Sequence, residues 1–322
     1  MLGAPRPSIG AILPDGGVEV FDFFCGAGGF SQGAVQAGHR VVFACDSDAD
    51  ALETHARNHP QGCEHRCVAL PVRDIPYPTD GRAFHLHGSP PCQTFSAVNR
   101  RNGAVSETEL VQSERLVRWF LKQAVSKSGC TTWSMEEVDS PRIRAILEKY
   151  RSKHADKVAW AVFDFEMLGV PQSRKRLIAG SPALIVRLQQ LRGLERRRGA
   201  SSVLTDLRGT HIIGTRGTGQ RRQKHKREPG TAKFFYKTAE IDFQARPVSK
   251  PAPTVCAGVP PSWITARKGE RAHSRARMDT DECAALQTFP PGYKWPEASG
   301  KSLRQIGNAV PPLVAQLLMG GK

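Results

Sequence analysis

The chain has 322 residues, 39% of them hydrophobic, and its 46 Lys and Arg against 30 Asp and Glu give a formal net charge of +16. It is long enough for one α/β domain and a smaller appendage, and the positive charge is typical of a protein that binds nucleic acid. Neither a run of about 18 apolar residues nor the apolar core of a signal peptide occurs, so we expect a cytoplasmic protein with reduced thiols.

The first predicted strand, residues 18–24, runs into the glycine turn Cys25-Gly26-Ala27-Gly28-Gly29. A helix over residues 31–38 and a strand over residues 40–44 would complete a βαβ unit whose glycines let backbone amides approach a ligand. Asp46 lies twenty positions after Gly26, the separation at which an acid reaches a ribose hydroxyl. Because Ser31 replaces the third glycine of the dinucleotide pattern, we predict a nucleoside ligand without a pyrophosphate.

Histidines and cysteines crowd the next stretch, which contains His55, His59, Cys63, His65 and Cys67. Such side chains can ligate zinc, but their spacing matches no strong zinc signature. We therefore predict no metal.

A single thiol, Cys92, follows Pro90 and Pro91 just after a predicted strand over residues 83–87. A proline pair cannot continue a strand, so the chain must turn there, near the carboxyl edge of the sheet. This is where a parallel sheet displays a nucleophile, although a cysteine beside prolines can also be a packed small hydrophobic residue.

Two charged motifs follow. A predicted buried strand, residues 130–138, ends with Glu136 and Glu137. Successive side chains of a strand point in opposite directions, so one of these acids can face a site. Alternatively, both acids form a solvated strand end. In the extended segment 169–178, Arg174 and Arg176 share a face. Such a pair suits either a solvated basic strand end or contacts with phosphate and carbonyl oxygens.

Four segments together resemble, in this order, the sequence blocks of the C5 cytosine-specific DNA methyltransferase family of bacterial and phage type. They are residues 22–31, 88–96, 169–176 and 304–311, and residues 246–254 and 286–290 are similar to two further family segments. The resemblance implies a doubly wound, mostly parallel α/β sheet of the Rossmann-like AdoMet-dependent methyltransferase fold, with a smaller basic target-recognition domain.

The resemblance also implies the reaction. Cys92 would attack C6 of a flipped-out cytosine in DNA, and C5 would then take a methyl group from S-adenosylmethionine. Glu136 would hydrogen-bond N3 and the exocyclic amine of the cytosine, while Arg174 and Arg176 would contact the base O2 and a neighbouring phosphate. Further DNA contacts are expected from Gln93, Ser96 and Gln172.

For the cofactor, the resemblance implies that Phe24 lies along the adenine, that the glycine turn holds the methionine end, and that Asp46 takes the ribose hydroxyls. Asp74, which we predict at the end of a third strand, would accept from the adenine amino group. The complete predicted set is Phe24, Cys25, Gly26, Gly28, Gly29, Asp46, Ser47, Asp74, Ile75, Pro90 and Asn308.

Glu137 departs from the family pattern, which normally reads Glu-Asn-Val where this chain has Glu136-Glu137-Val138. The amide at that place ordinarily braces the Pro-Cys loop, and a carboxylate offers only acceptors unless it is protonated. We expect an active enzyme because Cys92, Glu136 and the arginine motif occur together.

Basic residues are concentrated between Ser181 and Lys237, a segment that contains 14 Lys and Arg but only 3 Asp and Glu. Such a run can be a solvated face or a disordered arm, but it occupies the target-recognition region of the resemblance, where it would neutralise phosphates. Candidates for base contacts are Thr205, Arg208, Arg216, Thr218 and Gln220.

We predict a flexible extension over residues 1–17, a catalytic AdoMet-binding domain over residues 18–183 and 301–322, and a target-recognition domain over residues 184–300. A last helix around residues 310–319 would return to the first domain. The expected partner is double-stranded DNA at the nucleoid, a cognate restriction endonuclease would act separately, and the chain would be a monomer.

Two other functions remain open. The substitution at Glu137 would suit a catalytically weak or inactive DNA-binding relative. An RNA cytosine methyltransferase of the same fold is the second, although the Cys-Phe-Thr block usual in that branch is not evident here.

Overall fold

Two β-sheets organise the part of the chain that the computed structural model describes, namely residues 17–69, 71, 74–91, 93–95, 105–194, 197–214, 245–265 and 275–320. None of the helices in these ranges is both long and apolar enough to cross a membrane.

The larger sheet has the strand order β3-β2-β1-β4-β5-β7-β6. Its strands are β1 (Glu19–Phe23), β2 (Arg40–Asp46), β3 (Glu64–Cys67), β4 (Phe84–Gly88), β5 (Cys130–Glu137), β6 (Ala159–Asp164) and β7 (Lys175–Gly180). The strands β3, β2, β1, β4 and β5 pair in parallel, whereas β7 runs antiparallel to both β5 and β6. The predicted doubly wound, mostly parallel sheet is confirmed.

Helices cover both faces of this sheet, which explains why every residue of β1 and β4 is buried. The helices are α1 (Gly29–Gln36), α2 (Ala49–Asn58), α3 (Glu107–Ser126), α4 (Pro141–Arg151), α5 (Pro182–Leu191), α6 (Thr280–Leu286), α7 (Ser299–Asn308) and α8 (Pro312–Met319). On one face, α1 packs against α8 through a cluster that includes Phe30, Ala34, Val314 and Leu318. The last helix therefore returns to the larger sheet.

The smaller sheet consists of four short strands in the order β11-β10-β8-β9, all antiparallel. They are β8 (His211–Ile213), β9 (Ala245–Pro247), β10 (Ser262–Ile264) and β11 (Arg275–Arg277). Trp263 of β10 is 1% exposed, and its indole nitrogen donates to Glu282 Oε1 at 2.9 Å. This tryptophan packs in a separate hydrophobic cluster that also includes Leu286 and Ile306.

The structure differs from the sequence prediction at two boundaries. The third strand ends at Cys67, not at Asp74, which lies in a bend with a positive φ of 56°. Prolines at 71, 76 and 78 restrict this segment and keep it out of the sheet. The predicted division after residue 183 also falls inside α5, whose Ile185 and Leu188 pack with the larger sheet.

Candidate active site

A cleft of about 970 Å³, part of it open to solvent, lies at the carboxyl edge of the larger sheet. Its walls are the segments that follow β1, β2 and β4, with α7 opposite. In open parallel sheets this edge is the usual position of a ligand site. The lining residues are Asp22, Phe24, Cys25, Gly26, Ala27, Gly29, Phe30, Asp46, Ser47, Asp48, Ala51, Ser89, Pro90, Pro91, Arg304, Gln305, Asn308, Ala309 and Val310.

The glycine turn after β1 shapes one wall of the cleft. Phe24 has a φ of 57°, so the chain turns sharply as soon as the strand ends. Gly26 follows with a φ of 53°, and its N–H donates to Asp46 Oδ2 at 2.8 Å. A side chain at Gly29 would place its Cβ 2.2 Å from the carbonyl oxygen of Val310, so only glycine fits there.

Asp46 ends β2 and holds this turn in place. Besides the bond from Gly26, its Oδ1 accepts from the Asp48 N–H at 2.9 Å. Burial raises the pKa of the Asp46 carboxyl above its ordinary value, and these two N–H donors oppose that rise. Each carboxylate oxygen can accept more than one hydrogen bond, so the side chain can still receive a hydroxyl from a ligand in the cleft.

Asp22 is a cleft residue that the sequence analysis missed. Its Oδ2 accepts from the Ser31 hydroxyl at 2.7 Å, whereas its buried Oδ1 has no hydrogen-bond partner within the described ranges. Burial raises the pKa of Asp22 to about 7, and the nearby charge of Asp46 contributes. The sequence did contain a signal for this residue, namely an acid within an otherwise apolar, aromatic strand. A buried carboxyl needs a polar partner, so such an acid indicates a site.

Helix α7 supplies the opposite wall, with Arg304, Gln305 and the predicted Asn308. Gln305 is only 5% exposed, and both polar atoms of its amide lack hydrogen-bond partners in the described part of the chain. Buried unsatisfied polar groups are costly, so Gln305 and Asp22 both indicate that a polar ligand belongs in the cleft.

The predicted cofactor residues do not all line this cleft. Phe24, Cys25, Gly26, Gly29, Asp46, Ser47, Pro90 and Asn308 do, whereas Gly28, Asp74 and Ile75 are not among the lining residues. Asp74 is exposed, and its backbone carbonyl accepts from Arg66 Nη1 at 2.9 Å. Ile75 packs against the hydrophobic core on the α3 side of the sheet. Asp74 therefore lies outside the lining of the cleft, and its contact with an adenine amino group stays a prediction.

Glu136 and Arg176 meet at the end of β5. Arg176 Nε lies 2.9 Å from Glu136 Oε1, an ion pair whose atoms are not aligned as a hydrogen bond, and the side chains are 15% and 4% exposed. β5 pairs with β4 so that Met135 lies opposite Gly88. Glu136 therefore lies level with the start of the Ser89-Pro90-Pro91 segment that lines the cleft.

Glu137 is buried as well, so the reading of both acids as a solvated strand end is wrong. Its Oε2 accepts from the Val138 N–H at 2.8 Å, and its Oε1 has no hydrogen-bond partner among the described residues. Burial, and then the neighbouring charge of Glu136, raise the pKa of Glu137 well above its ordinary range. This shift favours the protonated form of the carboxyl, which can donate one hydrogen bond.

Arg174 and Gln172 are oriented toward the interior, which differs from the prediction of DNA contacts. Arg174 is 2% exposed, and its guanidinium donates to the carbonyl oxygens of Val255, Gly307 and Ala309. Gln172 is fully buried, with its amide nitrogen bonded to Leu286 O and Gln287 Oε1 and its oxygen accepting from Val255 N–H. Both side chains connect the larger sheet to the segments around the smaller one.

Of the predicted base contacts, Thr205 is exposed, and Arg208 is ion-paired with Asp279 and Glu282 at the start of α6. This pairing already occupies the guanidinium that was expected to read a base. Gln93 begins a short 3₁₀ turn, Gln93–Phe95, but its side chain is outside the described set. Cys92, Ser96, Arg216, Thr218 and Gln220 also lie outside the described residues.

The profile of the family described as C-5 cytosine-specific DNA methylase matches residues 18–120 and 144–320. These ranges include the glycine turn, the Pro-Cys segment, the arginine motif and α7. The chain belongs to this family.

Curated relatives agree with the family assignment. The Type II methyltransferase M.HgiDI of Herpetosiphon aurantiacus is 27% identical over 94% of this chain and 93% of its own length. The Type II methyltransferase M.AplI of Arthrospira platensis is 25% identical over 93% of this chain and 84% of its own length. Both alignments extend through the smaller sheet.

Solved structures show the same fold. A protein described as a DNA modification methyltransferase encoded within a prophage (E. coli) superposes with a TM-score of 0.62 at 18% identity, over 94% of this chain and 98% of its own. The Dnmt2 methyltransferase of S. pombe superposes with a TM-score of 0.59 at 14% identity, over 94% of this chain and 97% of its own.

Membership in this family makes the chain a DNA cytosine-5 methyltransferase, and the family implies S-adenosylmethionine as the methyl donor. The acid at Glu136 and the arginine at Arg176 therefore belong to an enzyme that acts on a base.

Proposed function

We propose that the chain methylates C5 of a flipped-out cytosine in double-stranded DNA through a covalent adduct with Cys92. One observation carries this proposal. Pro90 and Pro91, the two residues before Cys92, line the same cleft as the glycine turn and Asp46. Cys92 is therefore the next residue in the sequence after two residues of the cleft wall, and β5 brings the Glu136–Arg176 pair to the same edge of the sheet.

The residues in the cleft fit S-adenosylmethionine. The buried Oδ1 of Asp22 and the amide of Gln305 lack partners among the described residues, and an amino acid moiety offers an ammonium and a carboxylate to match them. Asp46 would accept from the ribose hydroxyls, and Phe24 would lie along the adenine. When bound, this cofactor supplies an electrophilic methyl group from its sulfonium, and S-adenosylhomocysteine is the product that remains.

Cys92 would act as the nucleophile because C5 of cytosine is not nucleophilic enough by itself. A bond from Cys92 Sγ to C6 moves electron density to C5, which takes the methyl group. The proton on C5 then leaves to solvent, and the C6–S bond breaks to restore the ring. A free thiol, with a pKa of about 8.5, is only slightly ionised at neutral pH, so the nearby positive charge of Arg176 would favour the thiolate.

Glu136 would hold the cytosine ring while charge builds up in it. In its protonated form, its carboxyl can donate to N3 and accept from the exocyclic amine. Arg176 keeps the carboxyl in place from one side and would contact the base O2. The buried position of both groups increases the strength of these contacts, because water is largely excluded there.

The cytosine must leave the duplex, since a stacked base cannot be reached at C6 by a thiol and at C5 by a methyl donor. Unstacking costs a few kcal/mol. Phosphate contacts from the basic segment between Ser181 and Lys237 would offset this cost, although much of that segment lies outside the described residues.

We further propose that the enzyme acts as the modification half of a restriction-modification system. Support comes from the curated relatives, which are Type II methyltransferases. In this role it would work as a monomer at the nucleoid, and a cognate restriction endonuclease would act separately.

Transfer of labelled methyl groups from S-adenosylmethionine to DNA tests the proposal. We expect transfer to duplex DNA by the natural chain and by Cys67→Ser, whose thiol is exposed on β3, but none by Cys92→Ser. A tRNA arm tests the substrate, and bisulfite sequencing reports the base. Undiminished transfer by Cys92→Ser, or transfer to tRNA alone, would contradict the proposal.

A further inference from the structure

Three side chains that can ligate a metal meet next to the glycine turn, where a Cβ at Gly28 would lie 3.0 Å from His55 Cδ2. His55 lies on α2, Cys63 directly precedes β3, and His65 lies within β3. One ligand atom from each of these residues lies within 4.8 Å of the other two. Cys63 and His65 flank Glu64, so their side chains are on the same face of the extended segment. The fold thus brings together residues whose sequence spacing gave no zinc signature.

From this geometry we propose that His55, Cys63 and His65 bind a divalent transition metal of the zinc type. His55 Nδ1 and His65 Nε2 lie 2.9 Å apart. Two nitrogens on one tetrahedral zinc lie about 3.3 Å apart, given bond lengths of about 2.0–2.1 Å. A small displacement would therefore admit the ion, and the thiolate would complete a set of three protein ligands with one position for water.

The hydrogen bonds around His55 prepare it for this role. When the Asp22 carboxyl is ionised, the Ser31 hydroxyl donates to Asp22 Oδ2 at 2.7 Å, and its oxygen can accept from His55 Nε2–H at 2.9 Å. In that state the proton of the imidazole is on Nε2, and the lone pair of Nδ1 points toward His65. A histidine ligand oriented in this way by a hydrogen-bonded carboxylate system is the common arrangement around protein-bound zinc.

The types of ligand indicate which metals fit the site. Two imidazoles and a thiolate favour zinc, cobalt or copper over magnesium and calcium, which prefer oxygen ligands.

A metal here would join the edge strand β3 to α2, beside the wall of the cofactor cleft. β3 has only four residues and is an edge strand of the sheet, so a metal that links it to α2 would stabilise its position. His55 also reaches the cleft through Ser31 and Asp22. We infer that the ion has a structural role, and that it takes no part in methyl transfer.

Metal titration of the full-length chain tests this inference. We expect one cobalt ion per chain with a thiolate-to-cobalt charge-transfer band, and one zinc ion that displaces it. Cys63→Ser should lose the charge-transfer band, and His65→Gln should weaken zinc binding at least tenfold. Ser31→Ala should weaken it by about tenfold through loss of the bond to His55 Nε2. Cys67→Ser, with an exposed thiol on the same strand, is the matched control.

Zinc should also raise the melting temperature of the natural chain and of Cys67→Ser, but not of His65→Gln. Circular dichroism of each variant without metal reports whether it is folded. The absence of stoichiometric binding and of the charge-transfer band in the natural chain would overturn the inference, and would leave an ordinary histidine pair. Binding that persists unchanged in both Cys63→Ser and His65→Gln would also overturn it.

Discussion

Glu137 has a carboxyl group where the family usually has an asparagine amide, and the structure gives a physical reason why this is tolerated. The side chain is fully buried, and burial with the adjacent charge of Glu136 raises its pKa, which favours the protonated form. A protonated carboxyl has one O–H donor, so it retains part of the donor capacity of the amide. The substitution is therefore compatible with an active enzyme.

The raised pKa of Glu137 makes the stability of the protein depend on pH. Since folding raises the pKa of this group, its favourable contribution is complete below the ordinary glutamate pKa and is lost as pH rises toward the folded value. The loss amounts to about 1.4 kcal/mol for each pH unit between the two pKa values. We expect Glu137→Gln to be close to the natural chain in stability at pH 5 and increasingly more stable toward pH 8.

Urea unfolding at several pH values measures this effect. Glu148→Gln, at an exposed position on α4, should shift stability by the same small amount at every pH. A difference between Glu137→Gln and the natural chain that stays constant from pH 5 to pH 8 would show that Glu137 is already ionised.

The Glu136–Arg176 pair predicts a second residue-scale effect. Removing one member of a buried ion pair leaves the other charge unpaired, at a cost of about 3 kcal/mol. We expect Arg176→Met to lower the free energy of unfolding by about this amount, and Glu136→Gln/Arg176→Met to recover most of it. Both variants should be inactive, so unfolding measurements are needed. If the double variant were no more stable than Arg176→Met, the pair would not be the cause.

At the scale of elements, the start of α1 is confined by the segment that joins α7 to α8. An alanine Cβ at Gly29 would lie 2.2 Å from Val310 O, whereas one at Gly300, near the start of α7, would meet no atom within 4 Å. We expect Gly29→Ala to destabilise the protein by about 1–3 kcal/mol and to weaken S-adenosylmethionine binding. Gly300→Ala should be neutral or stabilising by up to about 1 kcal/mol.

Thermal unfolding and titration with S-adenosylmethionine measure the stability and the cofactor affinity of Gly29→Ala and Gly300→Ala. Equal melting temperatures would show that the α1 junction can relax, and would remove the steric reason for glycine at position 29.

Strands and helices with strong local patterns could be predicted from the sequence, and segments governed by distant contacts could not. Alternating or continuous apolar runs located β1, β2, β4 and β5 to within two residues, and the acid at Asp46 followed from its spacing to the glycine turn. Asp74 was misplaced because a motif match says nothing about whether a proline-rich segment joins a sheet. The environments of Gln172 and Arg174 depend on backbone groups more than 80 residues away, such as the Val255 N–H and the Gly307 carbonyl, which no local pattern reveals.

At the scale of the whole molecule, the formal charge of +16 should dominate DNA binding. Each phosphate that the protein neutralises adds about −0.9 to the slope of the logarithm of affinity against the logarithm of salt concentration. We expect the combined change Arg221→Ser, Arg222→Ser and Lys224→Ser to reduce the slope by about 2.7 if all three contact phosphates. These residues lie outside the described ranges, so the prediction depends on their charge alone.

Fluorescence anisotropy of a labelled duplex over a range of salt concentrations measures the slope. The matched control replaces three arginines of α4, Arg142, Arg144 and Arg151, which already pair with acidic neighbours. An equal reduction in both triple variants would mean that the net charge matters and the position of the basic segment does not.

Covalent trapping of the target base shows whether Cys92 is the nucleophile. A duplex with 5-fluorocytosine cannot release the C5 substituent as a proton, so the bond between Cys92 and C6 should persist after methyl transfer. The account predicts a protein–DNA species that survives denaturing electrophoresis, requires S-adenosylmethionine, and is absent with Cys92→Ser. If 5-fluorocytosine duplexes containing the methylated sequence never trapped the natural chain, or trapped Cys92→Ser equally well, the assignment of Cys92 as the nucleophile would be contradicted.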